Sequence, residues 1–293
     1  VPPRAPSRAP RVRRLRPSLV AAALFLTLLP TAPLAAAREP SPLPGLATVE
    51  VPSIEGRARQ GEELRADPGR WTPRRDETTY RWLRDGERIR GARERRYRLG
   101  APDVGARISV EVRVRAEGYA WTAASSAATR EVAYAAPVRR RVTYSVTTRG
   151  ALTTSVAVFR RQAQETYDDA RGWRAGGIEF RRVPRGGDFT LVLAAASAMP
   201  SFSSTCSTTW SCRIGRYVVI NQERWKHASP AWNAARRPLR DYRHMVVNHE
   251  TGHWLGRGHV GCPGPGSLAP VMMQQSKGLD GCRFNPWPLP GER

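Results

Sequence analysis

Three histidines and one glutamate crowd into a single stretch, His249-Glu250-Thr251-Gly252-His253-Trp254-Leu255-Gly256-Arg257-Gly258-His259, of a chain that has only five histidines. His249 and His253 are four residues apart, so on a helix both side chains leave the same face and can reach one ion. Glu250 stands one position further on, about 100° round the helix, close enough to act on a water without binding the ion itself. Gly256 and Gly258 would end the helix and bend the chain so that His259 arrives from another direction. Three imidazoles with a fourth position open describe a catalytic zinc site; a structural site closes all four. Zinc brings the pKa of its water toward neutrality, and Glu250 would take that proton as general base and pass it to a leaving amine. The expected reaction is hydrolysis of a peptide bond. His244 and His227 fall off this pattern and read as a core-edge or surface residue and a loop residue. Trp225, Trp232, Trp254 and Trp287 read as packing residues.

The elements that must carry the site follow from the hydrophobic pattern. Residues 239–255 place Tyr242, Met245, Val246, His249, Gly252, His253 and Leu255 near one helix face. Upstream, 142–148, 178–183, 188–194 and 216–221 read as strands, and 151–171 as a helix with Val156, Phe159, Ala163 and Tyr167 on one side, stopped near Gly172. Residues 195–215 read as a Ser/Thr-rich loop, with an edge strand bordering the cleft expected within 201–221. The order is strand, helix, strands, helix and an irregular tail, an α/β domain expected over 142–293 with one helix behind the sheet and one below it.

The extended motif resembles that of the metzincin metalloproteases, H-E-x-x-H-x-x-G-x-x-H followed by a Met-turn. His249, Glu250, His253, Gly256 and His259 occupy every fixed position. The resemblance covers about 142–280 and implies Met272, after Val271 in "PVMMQ", as the Met-turn residue, a hydrophobic floor beneath the ion. Gln274 stands where some metzincins carry a Tyr, so no Tyr-assisted step is implied. "GWRAGGIEFRRV" is similar to the family region in which a Trp precedes the second strand. The stretch from Val246 to Cys282 also resembles a group of actinobacterial exported proteins known only as a domain of unknown function. Together these imply an exported zinc endopeptidase acting on a protein or peptide. The alternative is an inert surface adhesion or scaffold protein that keeps the zinc-binding fold.

Residues 47–134 read differently, as short strands between turn residues. Ile108, Val110, Val112 and Val114 alternate with polar residues, which marks a strand with one buried face. "GEELRADPGRWTP", "YRWLRDGERIRGARERRYRL" and "DVGARISVEVRV" are similar to bacterial immunoglobulin-like repeats. That implies an all-β sandwich with Trp71, Tyr80, Trp82 and Tyr97 in its core, Gly86 at a hairpin turn, and a role as spacer or as contact to a cell-wall or surface polymer. Residues 135–141 read as a linker.

At the start, Arg11, Arg13, Arg14 and Arg16 precede the apolar run Leu19–Leu29, and Ala35 and Ala37 fit a cleavage site after Ala37. This predicts a signal peptide over 1–37, a Pro-rich spacer over 38–46 and a secreted or cell-surface location, with no transmembrane span after cleavage. The four cysteines suit an oxidising compartment. Of three connectivities, Cys206–Cys212 and Cys262–Cys282 are favoured, because each pair brackets a loop rich in Gly, Ser or Pro. A four-cysteine zinc site lacks the close C-x2-C spacing. The formal charge of +23 is almost all arginine, with Lys226 and Lys277 the only lysines. It is spread along the chain without a basic stripe interleaved with aromatics, so no specific nucleic-acid partner is expected.

Overall fold

Alternation in the first half of the chain builds sheets that share one core. In the computed structural model, which describes residues 42–293, Ile108, Val110, Val112 and Val114 of β8 (Ile108–Arg115) are all fully buried. The expected signal peptide, its cleavage point and residues 38–41 of the spacer lie outside the described residues. β8 pairs antiparallel with β5 (Glu77–Arg84) and β9 (Thr122–Ser125), and β5 with the short β6 (Glu87–Arg88). The β5–β6 turn is Asp85-Gly86, both at positive φ, as a two-residue hairpin turn matched to strand twist requires. A second sheet, β2 (Ser53–Glu55), β3 (Glu63–Asp67) and β7 (Arg96–Arg98), is also antiparallel, and β1 (Ala47–Glu50) pairs with β4 (Arg70–Thr72). Leu64 of β3, Trp71 of β4 and Trp82 of β5 belong to one buried cluster with the β8 valines, so these sheets face each other. Trp82 stacks on Tyr97, centroids 5.5 Å apart; Tyr97 and Tyr80 are only partly buried.

The second half is a mixed sheet in the order β11–β10–β12–β14–β13. β10 (Arg140–Arg149), β11 (Ile178–Arg182), β12 (Phe189–Ala194) and β14 (Tyr217–Asn221) are parallel, and β13 (Cys212–Ile214) closes one edge antiparallel to β14. Phe189, Leu191 and Leu193 point to one face, where α1 (Val156–Asp168) and α4 (Leu239–Trp254) bury Phe159, Tyr167, Tyr242 and Val247 in the same cluster. Val192 and Ala194 point to the other face, under Met199 and Phe202. Both long helices therefore share a single face of the sheet, where the sequence suggested one behind and one below. α1 is shorter than the expected 151–171 and begins at Val156, the first residue of the apolar stripe, because the Ser155 hydroxyl accepts from the Val158 N–H and caps it there. Two short helices were not expected, α2 (Gln222–His227) and α3 (Pro230–Ala234), capped by Asn221 and Ser229. They seat Trp225 and Trp232 in the core.

The segment joining the two halves is tied down on both sides. Arg59 donates to the Tyr134 carbonyl, the Tyr134 hydroxyl donates to the Asp168 carbonyl at 2.6 Å, and Arg174 lies over the Tyr134 ring and donates to the Ala136 carbonyl. The disulfides are Cys206–Cys212 and Cys262–Cys282, the favoured pairing, and are consistent with an extracellular protein. No helix among the described residues is long and apolar enough to cross a membrane.

The two halves have separate apolar cores, which sets up a test of the expected boundary near residue 138. Ile108→Ala should cost about 2–5 kcal/mol in urea unfolding of the first half and leave metal binding by the second half unchanged. A matching loss of metal binding would mean the halves fold as one cooperative unit.

Candidate metal centre

The site is built on the carboxyl end of α4, which is buried without interruption from His244 to Gly252. On its inner side Trp173 Nε1 donates to the Asn248 carbonyl at 3.1 Å, and the Tyr167 and Thr251 hydroxyls meet at 2.9 Å. His244 is buried, hydrogen-bonded through Nδ1 to Thr166 and set against Trp287, so it is a core residue. His227 is exposed on α2 and pairs only with Glu223. Trp225, Trp232 and Trp287 are buried, and Trp254 packs on Phe189, in keeping with packing roles.

The three histidines of the motif come together. His253 Nε2 lies 3.2 Å from His249 Nε2 and 3.0 Å from His259 Nε2, and the three rings could hold a metal ion. Backbone carbonyls decide which nitrogen of the first two rings faces the cluster. His249 Nδ1 donates to the Val271 carbonyl at 2.7 Å, and His253 Nδ1 to the Arg257 carbonyl at 2.8 Å. A carbonyl only accepts, so each Nδ1 carries the hydrogen and each Nε2 presents a bare lone pair. Two such lone pairs at 3.2 Å repel each other unless a cation lies between them. Tetrahedral ligands at zinc–nitrogen distances would stand about 3.3–3.4 Å apart, so the donor set fits an ion of that size. Burial drives the pKa of His249 down to about 3 and also lowers those of His253 and His259. Burial thus favours the neutral form of all three rings, the form a metal binds.

The chain reverses after α4 through one glycine. Gly256 sits at φ +88°, its N–H donates to the His253 carbonyl at 3.1 Å, and the Arg257 N–H donates to the Gly252 carbonyl at 2.9 Å. This is a Schellman cap, and only the left-handed residue in it demands glycine. The same cap presents the Arg257 carbonyl to His253. Gly258 has no positive φ and open space around it, so the sequence expectation that both glycines are needed holds for Gly256 alone.

Met272 is buried beside the helix. A Cβ at Gly252 would stand 2.3 Å from the Met272 sulfur and 2.9 Å from Trp173. Met272 thus fills the groove that a residue without a side chain leaves open next to His253. Pro270–Met273 form a tight turn closed by the Met273 N–H to the Pro270 carbonyl at 3.0 Å. The buried side chains of Gln275 and Asn285 hold that turn through the Pro270 and Ala269 carbonyls. Sequence reasoning missed one further residue. The Glu292 carboxylate accepts from the Val271 and Met272 N–H groups at 3.0 and 2.8 Å.

Glu250 is buried, and among the described residues nothing donates a hydrogen bond to its carboxylate. Burial alone raises its pKa to about 8; a divalent cation nearby would lower it. Glu250, the three histidines and Gln274 line a cavity of about 530 Å³, the size of a small-ligand or peptide side-chain site. One wall is the Cys206–Cys212 loop and Arg213 of β13, an edge strand within the expected 201–221. The other wall is the segment from Gln274 to Lys277.

A family model described as Protein of unknown function (DUF3152) matches residues 116–287, more than half of the chain, and spans the whole of this site except Glu292. No curated protein matches the chain.

The contact at Gly252 makes a sharp test of the packing beneath the histidines. Gly252→Ala gains about 1 kcal/mol of helix propensity yet should lower stability by about 1–3 kcal/mol through overpacking. Pairing it with Met272→Ala should recover part of that loss in a double-mutant cycle of denaturant unfolding. Simple additivity would show that Met272 does not fill this groove.

Proposed function

The chain belongs to the DUF3152 family, and from that premise we propose that it is an exported zinc-dependent endopeptidase of metzincin type with an immunoglobulin-like module ahead of its protease domain. One observation carries the reading. Two imidazoles are locked by backbone carbonyls so that their free lone pairs converge with a third, and beside them a buried glutamate without a protein partner faces a cavity. The expected strand–helix order, Met272 under the helix and the disulfide-bonded loops support it further.

His249, His253 and His259 would hold the zinc. Zinc supplies Lewis acidity, making water more acidic and a carbonyl more electrophilic. The rest falls to the chain. Glu250 accepts the proton of the attacking water as the carbon–oxygen bond forms, then delivers it to the amine nitrogen as the carbon–nitrogen bond breaks. A zinc ion beside the carboxylate would offset the effect of burial and keep it ionised, ready to take that proton. The open edge of β13 offers backbone groups with which an extended peptide can pair beside the histidines. The protease domain would run over 142–293, and the immunoglobulin-like module over 47–134 would act as spacer or contact a surface polymer.

Purified protein should cleave denatured protein or a peptide library, and a chelator should abolish cleavage. Glu250→Gln should reduce the rate by about 10²–10⁴ while zinc content stays unchanged. A folded, zinc-loaded protein that cleaves nothing across a broad library would point instead to an inert adhesion or scaffold protein.

The cavity charge leads to a second expectation. Arg213, Arg257 and Lys277 line it, none of them in an ion pair among the described residues, and Glu250 is the only acidic residue on its walls. Exposed pairs are worth about 0.2–1 kcal/mol, so each Asp or Glu flanking the cleaved bond should raise kcat/KM by up to about 5-fold at low salt. Lys277→Glu should shrink the preference. Matched acidic and basic peptides cleaved equally at low salt would refute it.

A further inference from the structure

Glu292 lies 33 positions beyond His259. Glu292 is joined to the histidine cluster by one peptide unit. The Met272 N–H of the Val271–Met272 peptide points at Glu292 Oε1, 2.8 Å away. The carbonyl at the other end of the same peptide, that of Val271, accepts from His249 Nδ1 at 2.7 Å. A peptide unit is planar and rigid. Fixing its N–H therefore fixes the direction of its carbonyl, and with it the rotation of the His249 ring.

Three features show that the carboxylate is built into this place. It takes a second hydrogen bond from the Val271 N–H at 3.0 Å, so both central amides of the turn converge on one anion. The Leu289 N–H donates to the same carboxylate at 2.6 Å, which ties it to its own short 3-10 turn, Pro290–Glu292. Glu292 forms no salt bridge among the described residues, so its charge acts on these backbone groups. The turn that Glu292 holds also reaches the third histidine. The Met272 carbonyl accepts from the N–H of Val260, the residue after His259, at 3.4 Å.

The electronic consequence follows from hydrogen-bond polarisation. A negative charge on a peptide N–H pushes electron density toward the carbonyl oxygen of the same peptide and strengthens the bond which that oxygen accepts. A stronger acceptor at His249 Nδ1–H makes Nε2 more basic and a better ligand. Metal-binding histidines commonly donate their second nitrogen directly to a carboxylate or to a carbonyl, and such partners tune affinity. Here a carbonyl meets the ring and a carboxylate stands behind the carbonyl.

We propose that Glu292 is a positioning residue for His249, acting through the Val271–Met272 peptide as a carboxylate–peptide–histidine relay that sets metal affinity. The inference rests on the metal reading of the three histidines.

The full chain tests it. Zinc affinity is measured by competition with a chromophoric chelator, cobalt(II) absorption reports ligand geometry, and thermal melting of the metal-free protein monitors the fold. Glu292→Gln keeps the shape and removes the charge; it should weaken zinc binding by about 10-fold, and Glu292→Ala by about 10–100-fold, the range known for residues behind metal ligands. The cobalt bands should shift in both. Glu179→Gln removes a half-buried carboxylate of β11 that pairs with Arg141 and should leave zinc affinity and the cobalt bands unchanged. If Glu292→Ala fails to fold, the isosteric Gln variant decides. Zinc affinity and cobalt spectrum equal to those of the unaltered chain in Glu292→Gln would overturn the relay while leaving the metal site standing. An unaltered chain that binds no zinc would overturn the metal reading and the relay together.

Discussion

A neutral imidazole has one hydrogen and one free lone pair, so the partner of one nitrogen dictates what the other can do. The site depends on this constraint. Had His249 Nδ1 met a donor, its proton would have moved to Nε2 and pointed a hydrogen into the cluster. The fold instead places a carbonyl at that nitrogen, and another at His253. Neither carbonyl belongs to a regular helix or strand. Arg257 lies in the reversal after α4, and Val271 in the tight turn before Met273. Regular elements spend their carbonyls on their own ladders, so orienting acceptors have to come from turns, and turns have to be held. The Schellman cap at Gly256 holds one, and Glu292 with Gln275 and Asn285 holds the other.

Holding irregular chain in place has an entropic cost of about 1–2 kcal/mol per ordered residue, and the molecule offsets it with local crosslinks. Cys262–Cys282 closes a loop over the whole Met272 turn, and Cys206–Cys212 closes the loop that walls the other side of the cavity. The helix beneath is immobilised by aromatic packing. Trp173 reaches both the Asn248 carbonyl and the groove at Gly252, and the Tyr167 hydroxyl meets that of Thr251 on the same inner side. The same groove explains why Met272 and a glycine occur together. A side chain at residue 252 would expel the sulfur, and a smaller residue at 272 would leave a void.

The sequence announces the parts of this arrangement that depend on residue type and short spacing. His249, His253 and Glu250 follow from helical period, the strands β8 and β10 from alternation, β12 and β14 from short apolar runs buried on both faces, and the disulfide pairing from the composition of the loops. What it conceals depends on backbone groups and on distance along the chain. β13 has three residues inside a Ser/Thr-rich loop, too few for a period to register. α2 and α3 span barely more than a turn each and are fixed by Asn221 and Ser229 caps. Gly256 and Gly258 look alike in a sequence, yet only a backbone torsion separates the one that is required. Glu292 acts on two amides twenty positions away, and an amide carries no residue signature.

Whether a metal held here would serve structure or chemistry turns on the fourth position. A structural site would need one more donor, and thiolate is the usual one. All four cysteines are spent in disulfides, including Cys262, three residues past His259. The remaining nearby donor is Glu250. It follows His249 directly on the helix, so its side chain leaves in a different direction and faces the cavity. Its carboxylate takes no hydrogen bond from the chain among the described residues, so its polar partners have to come from what the cavity admits. Beside a cation and an incoming water the same carboxylate acquires both an opposite charge and a donor, which gives the burial of Glu250 a reason that packing alone does not.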